Sequence, residues 1–149
     1  MRDERRENGD GTGDEFDDSL ASLVCEPGQD YHDLRVWKGG IELVSEIYRL
    51  SGAFPDSEKF GLTNQMRRAA VSIPSNIAEG SARSSGKDYS RFLEMAVGSL
   101  SELETQAIIS RNLGFIGDSE ADAVIAWIRK LWTQVMALRD TIRIRSGLI

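Results

Sequence analysis

The chain has 149 residues, a formal net charge of −6, one cysteine and one histidine. That length suits one domain able to bury a core unaided. Cys25 alone excludes an intrachain disulfide, and no apolar run reaches the roughly 20 residues that span a bilayer, so the reading is of a cytoplasmic protein with no membrane role. The acidity is uneven, since residues 1–30 set three arginines against ten carboxylates, a charge of −7, and leave +1 for the rest. The body is thus near neutral and able to meet a polyanion.

Residues 1–30 read as an acidic, disordered N-terminal extension whose chief apolar groups are Phe16 and the run Leu20 to Cys25. Asn8, Asp10, Thr12 and Asp14 alternate as in part of a calcium loop, but Ser19 stands where a bidentate Glu is needed. The bundle domain is expected over residues 31–149. Its first helix is expected to be capped by Asp33, with Leu34, Trp37, Ile41, Val44 and Tyr48 as its seam. Val36, Leu43, Ile47 and Leu50 form a second apolar stripe, and a helix apolar on two sides favours an oligomer. Gly39 and Gly40 imply either close packing or a frayed first turn.

A turn through Gly52 and Pro55 leads to a second helix that starts between Asp56 and Thr63 and is expected to end at Gly80 as a left-handed cap. Its core seam is Leu62, Met66, Ala69, Ile73, Ile77 and Gly80. Beside that seam runs a polar stripe, Gln65, Arg68, Ser72, Asn76 and Glu79. Buried, such a stripe would fix register or oligomer state; exposed, it would be a ligand surface. Pro74 predicts a kink unless a Ser or Asn side chain compensates the carbonyl of Ala70.

Ser85 followed by Asp88 predicts the cap of a third helix, with Tyr89, Phe92, Ala96, Leu100, Leu103 and Ala107 as its seam. The third helix stops near Gly114. Asp118 is expected to cap a fourth, whose seam is Val124, Ile128, Leu131, Val135, Leu138 and Ile142. Four amphipathic segments on short turns predict an all-α fold, an antiparallel up-down-up-down four-helix bundle.

The residues assemble no catalytic set. His32 is the sole histidine and precedes the first helix, so the Glu-x-x-His pairs of di-iron bundles, zinc clusters and Ser-His or Cys-His pairs are all missing. Glu79, Glu94, Glu102 and Glu104 read as ion-pair partners rather than an acid/base pair. The expectation is a non-enzymatic protein with no cofactor or metal. The basic residues Arg67, Arg68, Arg83, Lys87 and Arg91, with Arg139 and Arg143, are candidate nucleic-acid contacts that a ring of copies would join into one surface.

Phe54-Pro55 with Glu58 and Gly61-Leu62, Gln65 through Arg68, Ser72 through Gly80, and Gly98-Ser99-Leu100 with Glu102-Leu103-Glu104 together resemble the four-helix-bundle proteins named after open reading frames in 23S rRNA intervening sequences. The similarity runs from about Tyr31 to the C-terminus, and residues 1–30 have no counterpart in it. The resemblance implies a homopentameric ring. It also implies, through a related branch that serves diversity-generating retroelements, an accessory role with RNA or DNA and a reverse transcriptase. A protein-interaction scaffold with no nucleic-acid role is the alternative.

Overall fold

The computed structural model describes residues 30–149. The calcium-like spacing, the Leu20–Cys25 run and the expected disorder before Asp30 fall outside the described residues. Four long helices carry the fold: α1 (Arg35–Ser51), α2 (Leu62–Ser81), α3 (Gly86–Asn112) and α4 (Asp118–Arg145), with 3-10 turns at Tyr31–Asp33 and Asp56–Glu58 and no strand among the described residues.

Contacts run in opposite order along neighbouring helices. Gly40 of α1 faces Pro74 while Ser51 meets Arg67. Met66 of α2 meets Ser110 of α3, Ser72 meets Ser99, and Gly80 abuts Phe92. Arg111 of α3 pairs with Asp122 of α4, Glu104 with Arg129, Glu94 with Arg139 and Arg143, and Gly86 lies against Ser146. The start of α1, the end of α2, the start of α3 and the end of α4 therefore share one end of the molecule.

The seams expected on α3 and α4 are buried throughout, and on α2 all but half-buried Leu62 are, with Leu93, Ala121 and Ile125 completing the core. On α1 the two expected seams differ: the second is core, and of the first only Leu34 is fully buried. Val36, Leu43, Ile47 and Leu50 are fully buried or nearly so, whereas Ile41 and Tyr48 are exposed and Trp37 and Val44 half-buried. The buried stripe passes through Gly40, where a Cβ would sit 3.3 Å from the ring of Pro74. A glycine on a core stripe hides it from an apolar count, yet lets α1 approach α2 closely. Close packing, not fraying, accounts for Gly40.

Several helix ends also differ from expectation. Asp33 lies in the 3-10 turn, whose cap is Asp30, and α1 starts from Leu34 without a side-chain cap. Asp118 is the first residue of α4 and Gly117 its cap, so the aspartate serves the helix dipole instead. Gly80 is a helical residue, not a left-handed cap: α2 continues to Ser81, and among the described residues the positive-φ glycines are Gly114 and Gly147. It is glycine because a Cβ would lie 2.8 Å from Phe92 Cβ and 2.9 Å from Tyr89 Cδ2. The Ser85 cap is as expected, its hydroxyl accepting from the Asp88 N–H at 3.2 Å. Gly114 ends α3 in the expected place, with Phe115 N–H returning to the Ser110 carbonyl and Gly114 N–H to that of Arg111.

Helix α2 runs unbroken through Pro74. Ser75 Oγ donates to the Val71 carbonyl and Asn76 Nδ2 to that of Ser72, both at 2.8 Å, so these side chains serve the two carbonyls that follow Ala70 rather than Ala70 itself. Its start explains the Phe54 to Leu62 motif. Phe54 is buried against Phe115, with ring centroids 5.4 Å apart. Pro55 opens the 3-10 turn, and Glu58 Oε2 accepts from the Leu62 N–H at 2.9 Å. A Cβ on Gly61 would meet that carboxylate oxygen at 2.6 Å, so the cap requires a glycine there.

Candidate functional site

Two surfaces collect the residues singled out by the sequence. The first is an open groove between α2 and α3, lined by Phe60, Asn64, Gln65, Arg68, Ser72 and Asn76 on one side and Met95, Gly98, Ser99 and Glu102 on the other. Gln65, Arg68, Ser72 and Asn76 of the polar stripe form its α2 wall, and the stripe is neither wholly buried nor wholly free. Gln65, Arg68 and Glu79 are exposed, Ser72 and Asn76 half-buried.

Ser72 Oγ lies 2.6 Å from Ser99 Oγ and 2.7 Å from the Ala69 carbonyl, which ties the helices together under the groove. Asn76 spends its amide on the Ser72 carbonyl. Glu102 accepts from Gln106 Nε2 at 3.2 Å. Arg68, by contrast, makes no side-chain hydrogen bond or ion pair among the described residues. Phe60, 87% exposed, stands at the same groove with Lys59 over its ring. Phe60, Asn64 and Met95 were not singled out by the sequence; on the α3 wall its signals were the Gly98-Ser99-Leu100 motif, whose Gly98 has nothing within 4 Å of a Cβ position, and Glu102.

The second surface is the end where α2 and α4 finish and α3 begins. It brings together Arg83, Lys87, Arg91, Arg139 and Arg143, with Arg145 on the last turn of α4. Arg83 and Arg91 lie on the ring of Phe92, 4.7 and 4.8 Å from its centroid. Carboxylates are interleaved with them. Arg83 pairs with Glu79 at 2.9 Å and Arg91 with Asp88 at 4.0 Å. Glu94 lies 3.7 Å from Arg139 and 3.5 Å from Arg143, and Arg139 also holds Asp140 at 2.9 Å. Lys87 is exposed.

Arg67 and Arg68 stand apart from these five, toward the other end of α2. Arg67 is committed to α1: its Nε donates to Ser51 Oγ at 2.9 Å and its guanidinium lies 4.4 Å from the Tyr48 ring centroid. With Nη2 3.5 Å from the Tyr48 carbonyl, it complements the negative end of the α1 dipole. Arg67 is therefore a pin between helices, and Arg68 is the cation of this pair that faces the groove.

The model of the 23S rRNA-intervening sequence protein family matches residues 32–136. The chain belongs to that family. The matched stretch contains the groove, the Phe54 to Leu62 capping motif and Arg67 through Arg91, and it stops before Arg139 and Arg143. A crystal structure of a protein of unknown function from the S23 ribosomal protein family of Bacteroides thetaiotaomicron VPI-5482 superposes with a TM-score of 0.66 at 19% identity, covering 70% of this chain and 97% of that one. That likeness establishes the helical fold. No curated protein matches the chain. Among the described residues no helix is long and apolar enough to cross a membrane.

Proposed function

We propose that this family member is an up-down-up-down bundle that self-associates into a ring, a pentamer by family resemblance, and acts without catalysis as a nucleic-acid-binding accessory in the cytoplasm. The observation that carries the reading is the basic end: cations from the α2–α3 connection, α3 and α4 converge there, two of them stacked on Phe92. Cations from separate elements on one face are the usual footprint of phosphate binding, and repetition around a ring extends it. The resemblance adds RNA or DNA as the ligand and a reverse transcriptase as the companion.

Self-association is supported by the outer face of α1 and α2, where Trp37, Ile41, Val44, Val71 and Ala78 line an open apolar depression around Pro74. Patches of this kind on a small domain mark interfaces. The alternative reading, a protein scaffold without nucleic acid, is favoured by one observation: the carboxylates of Glu79, Asp88, Glu94 and Asp140 already neutralise much of the basic end.

Fluorescence anisotropy with structured RNA and duplex DNA across a salt series separates the two. Binding whose log affinity falls with log salt, at about 0.9 per duplex phosphate neutralised, is expected. Absence of binding at low salt would leave the scaffold. Reversal of Lys87 and Arg91 to Glu, two exposed positions, is expected to weaken binding at least tenfold.

A further inference from the structure

The end of the molecule that gathers the arginines is also the end at which the chain enters the bundle. Asp30 leads into the Tyr31–Asp33 turn and α1, and the start of α1 lies beside the second half of α2, as the Gly40 to Pro74 contact shows. Asp30 is held there, its carboxylate accepting from the His32 N–H at 3.1 Å and from the His32 ring. The described chain thus enters the bundle at the end that carries Arg83, Lys87, Arg91, Arg139 and Arg143. The 29 residues before Asp30 contain nine carboxylates and three arginines, with Asp14, Glu15, Asp17 and Asp18 flanking Phe16.

We propose that this acidic segment docks on the basic end and competes there with nucleic acid, as a built-in polyanion that sets the threshold for binding. The competition rests on the nucleic-acid reading above, whereas the docking does not. Three features support it. The charges are complementary, since residues 1–29 carry −6 while the basic end sets Arg83, Lys87, Arg91, Arg139 and Arg143 against only four carboxylates, Glu79, Asp88, Glu94 and Asp140. The reach is sufficient: Asp18 is 12 positions before Asp30, a span of up to about 40 Å, while packed helices lie only about 8–10 Å apart. The tether also makes the encounter intramolecular, which raises the local concentration of carboxylate without any new contact.

The geometry further names the contact point. Arg139 and Arg143 share Glu94, Arg83 has Glu79 and Arg91 has Asp88, which leaves Lys87, exposed on the first turn of α3, as the amine best placed to meet a further carboxylate.

Two measurements on the full chain test this. Zero-length carbodiimide cross-linking at low salt, followed by peptide mapping, should join Lys87 to a carboxylate among residues 3–18, and the product should disappear at high salt. Absence of any such product would overturn the docking, whatever the protein binds. The variant carrying Asp14→Asn, Glu15→Gln, Asp17→Asn and Asp18→Asn should bind duplex DNA about tenfold more tightly than the parent at low salt, the two converging as salt screens both partners. Equal affinities would overturn the competition. If neither protein binds RNA or DNA at any salt, the nucleic-acid reading and the competition fall together, and the cross-link still decides whether the segment docks.

Discussion

The two faces of α2 are built to opposite rules. Toward α3, beneath the groove, its core stripe is closed: Gly80 admits the Phe92 and Tyr89 side chains, Ser72 meets Ser99, and Met66, Ile73 and Ile77 are fully buried. Toward the outside of α1 it is open, with Val71 exposed beside Trp37, Ile41 and Val44 around an unfilled depression. Apolar residues are present on both faces, so hydrophobicity does not distinguish a contact within the fold from a surface left for something else. Small residues do, because only a helix pair that must come close needs them.

The contrast is broken most severely by comparing two isoleucines. Ile73→Ala removes a side chain with 0% exposure from the middle of α2, and a loss of about 2–5 kcal/mol is expected from transfer and cavity terms. Ile41→Ala removes one that is 42% exposed, and should change protomer stability by less than about 0.5 kcal/mol while lowering the associated mass. Urea unfolding at low protein concentration and light scattering measure the two quantities. Equal losses of stability would show that the outer face belongs to the fold of the protomer.

The same contrast explains what the sequence made legible. The seams of α3 and α4 were readable because each has one apolar stripe, and all the named positions, from Tyr89 to Ala107 and from Val124 to Ile142, are buried. On α1 two stripes compete, and the periodic count favours the one through Trp37 and Ile41 because the true core stripe is interrupted by Gly40. Gly80 was misread for a related reason. A glycine near a helix end looks like a cap from its own helix, and the requirement for it comes from Phe92, 12 residues away on another helix. Of the candidate site, the α2 wall of the groove was legible as a polar stripe. The segregation of Arg67 from the other arginines was not, since it depends on which helix ends meet.

A smaller test sharpens the closed face by itself. Gly80→Ala places a Cβ 2.8 Å from a Cβ of Phe92, an atom that cannot swing aside, so α2 and α3 must part; about 1–3 kcal/mol of destabilisation is expected. Gly98→Ala, on the partner helix, meets nothing within 4 Å, and the gain in helix propensity should stabilise by about 0.5–1 kcal/mol. Opposite signs in urea unfolding confirm that one glycine serves packing and the other the groove. If alanine at position 98 leaves stability raised but abolishes binding of the probe nucleic acids, the groove is part of the binding surface.

The smallest effect concerns α1, where the open and closed faces meet along one helix. Glu46 accepts from Arg49 Nε at 2.9 Å and from Nη2 at 2.6 Å, and that hydrogen bonding holds its carboxyl below the ordinary value of 4.5. A depressed folded-state value means that the pair stabilises the protein above the unfolded value, and that this contribution disappears as pH falls through the folded one. Glu46→Gln should therefore cost a small, constant amount of stability near neutrality. The difference from the parent should shrink to zero as the pH is lowered below 4.5. Because Arg49 remains charged across this range, the pH dependence belongs to the carboxylate alone. A parent and variant that stay separated at low pH would show instead that Glu46 acts through packing on the half-buried side of α1, and would extend the closed surface one residue further around the helix.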